Sequence, residues 1–150
     1  MATLEENGYI KIVDIRVEKN KLICQFDFSY DLKKYFKTNI FISEYRGNLE
    51  DIEKSILSIP PLATVITIAW ATGADKYLES LDKNFLDSLE KIKVIFKKWF
   101  PQFSFSTLIK VKKIFSHEFG AKNYGLFFSS GIDSLSSFIR HIEKKPTLIS

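Results

Sequence analysis

Two hydrophobic periods alternate along this chain and divide it into strands and helices. Residues 9–17 (YIKIVDIRV) place Ile10 and Ile12, then after a one-residue shift Ile15 and Val17, among polar neighbours. That is the two-residue period of a strand with one buried face. Residues 21–30 (KLICQFDFSY) repeat it with Leu22, Cys24, Phe26 and Phe28, and the turn Glu18-Lys19-Asn20 joins the two runs into a β-hairpin. Residues 39–44 (NIFISE) read as a third strand. Asn48, with Asp51 three residues on, reads as the N-cap of a short helix over 49–57 that Pro60-Pro61 ends. Residues 62–71 (LATVITIAWA) stay open between a buried strand, on their β-branched residues, and a buried helix, on their length and small alanines. Gly73-Ala74-Asp75 reads as a turn. Over 80–99, Leu81, Phe85, Leu89, Ile92, Phe96 and Trp99 step by three or four, which predicts one long helix with Lys97-Lys98 in its last turn and Pro101 beyond it. A strand is expected around 107–111 and a loop over 116–123, and residues 1–8 read as a loose terminus.

The end of the chain reads as a strand–turn–helix–strand unit. Gly125-Leu126-Phe127-Phe128 is a short uncharged apolar run, and Ser129-Ser130-Gly131 turns the chain. Leu135, Phe138, Ile139 and Ile142 follow as a helical stripe that Lys144-Lys145-Pro146 closes, and Thr147-Leu148-Ile149 begins another β-like run. This pattern starts a parallel α/β sheet. A small-residue turn there aims free backbone N–H groups and the positive end of a helix dipole at one spot, an anion site suited to phosphate. Ser129, Ser130 and Ser134 add hydroxyl donors, and Gly131 removes a side chain that would hold a ligand off the backbone. Ser130-x-x-Asp133 also fits a capping box, and the two readings are compatible because a phosphate loop is itself a helix start. Gly120 and Gly125 have Walker A spacing, but Leu126-Phe127 stands where Lys-Ser/Thr is required, and no glycine precedes Ser129 or Ser130 by two residues as a hydrolase elbow requires.

Composition narrows the class. The chain has 150 residues, the size of one ordinary domain, and is 45% hydrophobic and 27% charged, as a soluble globular protein is. The uncharged run 56–74 holds two prolines and four hydroxyl residues and makes a poor membrane span, so no membrane partner is expected. The N-terminus lacks the basic start and apolar core of a secretion signal. The lone Cys24 excludes an internal disulfide, fits a reducing cytoplasm and, on an inward face, reads as a core residue. A net charge of +4 and a pI near 9.0 suit small anions. They fall short of a nucleic-acid signature, since Lys91, Lys93, Lys97 and Lys98 are interleaved with an apolar stripe and read as a solvated outer surface. His117 and His141 have no partner at metal-ligand spacing.

The hexapeptide Ser129-Ser130-Gly131-Ile132-Asp133-Ser134 resembles the PP-loop, Ser-Gly-Gly-x-Asp-Ser, of the ATP pyrophosphatase (adenine nucleotide alpha-hydrolase) superfamily. The preceding Leu-Phe-Phe and following Leu-Ser-Ser-Phe fit that setting. The Phe-Phe-Ser lead-in, with Ile-Pro-Pro and Ala-Trp-Ala-Thr-Gly upstream, is most similar to the 7-cyano-7-deazaguanine synthase-like branch, a likeness that tips 62–71 towards helix. The resemblance implies an α/β chain. Residues 1–120 would be an α+β accessory region with a hairpin and a long helix, and 121–150 the first strand–helix–strand of a parallel, Rossmann-like PP-loop sheet. Such a sheet needs more strands, so the chain is expected to be the N-terminal piece of a longer enzyme, a homo-oligomer, or a subunit completed by another chain. The implied activity uses ATP and Mg²⁺ to adenylate an unnamed acceptor with release of pyrophosphate, in the cytoplasm. Backbone N–H groups around Gly131, Ile132, Asp133 and Ser134, with the hydroxyls of Ser129 and Ser134, would hold the phosphates, and Asp133 would help place Mg²⁺. The branch's cysteine-bound zinc belongs to a C-terminal part not present here. Ser130 stands where the family has glycine, and a left-handed backbone at that position costs a side chain about 1–2 kcal/mol. The alternative is a nucleotide- or phosphate-binding or interaction module without catalysis.

Overall fold

The computed structural model describes residues 8–118 and 124–149, which divide between His117 and Glu118 into two compact units. The first unit starts with the hairpin. Strands β1 (Tyr9–Glu18) and β2 (Lys21–Phe28) pair antiparallel from Ile10↔Phe28 to Glu18↔Lys21, with the register shifting between Ile12 and Asp14. That bulge is the shift seen in the pattern. It absorbs Val13, which is 53% exposed, and returns Ile15 to the face of Ile10 and Ile12. Leu22, Cys24, Phe26 and Phe28 are all buried. β3 (Ile40–Glu44) adds antiparallel to β2.

The next segment corrects the expected helix over 49–57. The Asn48 side chain accepts from the Glu50 N–H and forms a turn, and helix begins only at α1 (Lys54–Leu57). Pro60 and Pro61 do not end a helix; they lie in the first turn of α2 (Ile59–Thr72), where their missing N–H groups have no intrahelical partner to lose. Residues 62–71 are therefore helix, and α2 buries Leu62, Val65, Ile66, Ala69 and Trp70. Gly73, at φ +78°, ends it in a left-handed C′ turn, and an added Cβ would lie 2.8 Å from Ser104 Oγ. Lys54–Thr72 is the one stretch among the described residues that is long and apolar enough to cross a membrane, but half of it is buried and its apolar side chains fill the core, an arrangement compatible with a soluble protein.

Asp75 belongs to a strand rather than to the turn. β4 (Asp75–Asp82) also takes Ser80, Leu81 and Asp82 from the start of the expected long helix, which becomes α3 (Lys83–Trp99). Lys76, Leu78 and Ser80 alternate inward along β4, Leu81 is buried beside them, and Asp82 caps α3 by accepting from the Phe85 N–H at 2.8 Å. α3 buries Leu89 and packs Phe85, Leu86 and Phe96 on the core, whereas Ile92 and Trp99 of the expected stripe stay 40% and 66% exposed. The last strand, β5 (Ile109–Phe115), lies further along than 107–111. β4 runs parallel to both β1 and β5, and the mixed sheet has the order β3-β2-β1-β4-β5. α2 and α3 cover one face and meet through Trp70 and Phe96, whose ring centroids are 5.2 Å apart. The opposite face carries Lys11, Tyr77 and Lys110 in one cross-strand row.

The second unit, described over 118 and 124–149, is β6 (Gly125–Phe127), α4 (Ile132–Arg140), a 3₁₀ turn (Ile142–Lys144) and β7 (Thr147–Ile149). β6 and β7 are parallel, from Gly125↔Thr147 to Phe127↔Ile149, as the strand–turn–helix–strand pattern predicts. The helix stops at Arg140 and Lys145 takes a left-handed conformation ahead of Pro146. Phe128 packs edge-on against Phe138, with centroids 6.1 Å apart. Of the expected loop 116–123 and terminus 1–8, residues 119–123 and 1–7 lie outside the described residues.

Candidate functional site

The six residues singled out in the sequence, Ser129 to Ser134, lie together where the chain passes from β6 into α4, the last three in the first turn of the helix. Phe128 N–H donates to Ile149 O at 2.8 Å and Thr147 N–H to Tyr124 O at 2.7 Å, so the parallel pair holds both ends of the unit. The chain leaves the sheet at Phe128, and Ser130 at φ +61° reverses it. Gly131, at φ −81° and ψ 167°, is the N-cap of α4 in extended backbone that any residue adopts. The left-handed position is thus the one where the PP-loop pattern has glycine and this chain has serine.

The capping-box reading fails here. Ser130 is not the N-cap, and no side chain caps α4. The N–H groups of Ile132, Asp133 and Ser134 have no partner within the helix and point outward at its positive end. Ser134 Oγ donates instead to Gly131 O at 2.9 Å, and Ser129 Oγ lies 3.4 Å from Ser134 Oγ. The two hydroxyls therefore sit together beside the first-turn amides. Residues Ser129, Ser130, Gly131, Ile132 and Asp133 are exposed and Ser134 is half-buried. An added Cβ on Gly131 would meet only Ser129 Oγ at 3.6 Å, so glycine here leaves the approach to the backbone open without being forced by packing. Asp133 brings a carboxylate to the same rim, in the first turn of α4. Among the described residues no group of three or more His, Cys, Asp or Glu side chains could hold a metal unaided. One carboxylate still fits Mg²⁺, which takes one or two protein oxygens and completes its shell with phosphate and water.

Other polar clusters lie in the first unit. Lys76 is 1% exposed; its ammonium donates to Thr107 Oγ1, which donates to Ala74 O. Burial, and then the neighbouring Lys93, push the Lys76 amine down to about 8, with Asp75 and Glu90 opposing. Nothing in the sequence pattern marked Lys76; a two-residue period applied to DKYLESLD would have placed it inward. On the other face, burial works to raise the Asp75 carboxyl, yet the Leu108 N–H and the Lys110 ammonium hold it below the usual carboxylate range. His117 Nε2 lies 2.8 Å from Ser55 Oγ and 3.8 Å from Glu53 Oε2. These two oxygens meet the same ring nitrogen, and Ser55 is 1% exposed. Burial pushes the Cys24 thiol up to about 12, which makes it an inert core residue. No family model, no curated protein and no solved structure matches the chain.

Proposed function

We propose that the turn Ser129–Ser134 is a phosphate-binding loop of the PP-loop kind and that the chain is part of an ATP-dependent, AMP- and pyrophosphate-forming enzyme of the ATP pyrophosphatase type. The observation that carries this reading is the uncapped first turn of α4, exposed at the end of a parallel strand with the Ser129 and Ser134 hydroxyls beside it. In this reading β6, α4 and β7 are a strand–helix–strand of a Rossmann-like sheet. The amides of Ile132, Asp133 and Ser134 would donate to the β- and γ-phosphate oxygens of ATP, with the two hydroxyls donating alongside. Asp133 would help hold Mg²⁺, which would supply positive charge where negative charge develops on pyrophosphate. An acceptor oxygen attacks the α-phosphorus, the bond to the bridging oxygen breaks, and pyrophosphate leaves while AMP stays on the acceptor. The first-turn amides contribute by stabilising the charge that grows on the leaving group. The test is titration of MgATP into the protein and its Asp133→Ala and Ser134→Ala variants, where affinity should fall; unchanged affinity removes the assignment.

A second reading, a nucleotide- or phosphate-holding module without turnover, has one observation in its favour. Ser130 keeps a side chain at φ +61°, at a rim where the PP-loop pattern has none. Pyrophosphate release separates the two, since the module binds ATP and never cleaves it.

A further inference from the structure

The first unit leaves one feature of α3 unused. Phe85, Leu89 and Phe96 face the core, but Ile92, Ile95 and Trp99 stay 40%, 46% and 66% exposed. With the exposed Ser88 they follow the spacing i, i+4, i+7, i+11, which is the a/d seam of a coiled coil. Lys91 and Lys98 each stand one residue before an a position and so form the flanking g row, and both are exposed. The other flank is not available, because the e positions are Leu89 and Phe96, which pack into the unit's own core. α3 therefore presents an apolar seam with a single open edge, and that edge is cationic.

We propose that this seam docks an amphipathic helix of a partner protein, one whose apolar stripe lies on Ile92, Ile95 and Trp99 and whose edge carries carboxylates opposite Lys91 and Lys98. Charge decides against a second copy of the chain. An antiparallel pair would set the lysine row of one copy against the same row of the other, and a parallel pair would need the e positions that the core has taken. A lipid surface is disfavoured by shape, since the seam is walled on one side by the folded unit. Trp99 is the expected anchor, a large side chain about three turns along the seam from the small Ser88.

The chain has two tryptophans, and Trp70 is buried, so a change in emission on docking reports on Trp99. The 150-residue protein is titrated with a synthetic helical peptide bearing leucine at a and d and glutamate at e and g, and with its lysine counterpart. The glutamate peptide should give a saturable blue shift, and the lysine peptide should bind about tenfold more weakly or not at all. The double variant Lys91→Glu/Lys98→Glu should reverse that preference, and Ile95→Asp should abolish the shift. All three positions are exposed, so the fold survives, with far-UV circular dichroism as the check. Equal response to both peptides, or no response, overturns the proposal. So does a shift that tracks protein concentration without peptide, which would assign the seam to self-association, or a shift with phosphatidylserine vesicles alone.

Discussion

The two units of this chain treat apolar side chains in opposite ways. In the first, Ile10, Cys24, Phe26, Leu62, Ala69 and Trp70 lie within one cluster at a few per cent exposure or less. In the second, no residue of α4 or β7 is buried, and Phe127 and Ile132 are 81% and 87% exposed. The first unit can draw its stability from the hydrophobic effect; the second, with two three-residue strands, has little area to do so. The difference teaches where function is to be sought. The five-stranded sheet uses Asp75, Lys76 and Thr107 to tie its own strands and loops, whereas the turn of the second unit leaves amides and hydroxyls open.

The sharpest way to break this contrast is Trp70→Ala. Its ring is 2% exposed and touches Phe96 and Phe105, so truncation should cost about 3–5 kcal/mol in chemical denaturation of the first unit. Lys76 gives a pH test of the same core. Its folded-state value, about 8, lies below that of the unfolded chain, so between pH 8 and about 10.5 the unfolded state binds more protons and stability rises with pH. The penalty is complete below pH 8. Lys76→Met should therefore be more stable than the parent at pH 7 by up to about 3 kcal/mol, with the gap closing as pH rises. An equal pH slope in both proteins would mean that the amine is not desolvated.

Smaller effects belong to the second unit. Ser130→Gly relieves a left-handed serine worth about 1 kcal/mol, which should appear as added stability of the second unit in denaturation and leave MgATP affinity unchanged, since the free loop already holds this conformation. Phe127→Ala should change stability by less than about 0.5 kcal/mol, because its ring is already in solvent. A large loss there would show that Phe127 is covered in solution.

The elements readable from the sequence were those whose residues answer to one local rule. The hairpin needed only the alternation Leu22-Cys24-Phe26-Phe28, and the bulge needed only the slip between Ile12 and Ile15. β4 was missed because Leu81 and Asp82 also fit the start of the helical stripe, and parallel pairing with β1 and β5 decided for strand. Pro60-Pro61 misled because proline marks a helix's first turn as readily as its end. Ile92 and Trp99 kept the helical spacing but not the burial, since a helix on one sheet face hides only part of its circumference. The turn at 129–134 was readable as a helix start from its small residues. The left-handed backbone at Ser130 was flagged only through the PP-loop likeness, which has glycine there, because how the chain leaves β6 is not written in any local pattern.

The central claim is that the first-turn amides of α4 grip a polyphosphate. It is tested most directly by following the backbone amide resonances of Ile132, Asp133 and Ser134 while MgATP, and separately pyrophosphate, is titrated into the protein. The account predicts that these three amides, with that of Gly131, shift most and saturate together. It is contradicted if they stay in place while the ligands perturb another part of the chain or nothing at all.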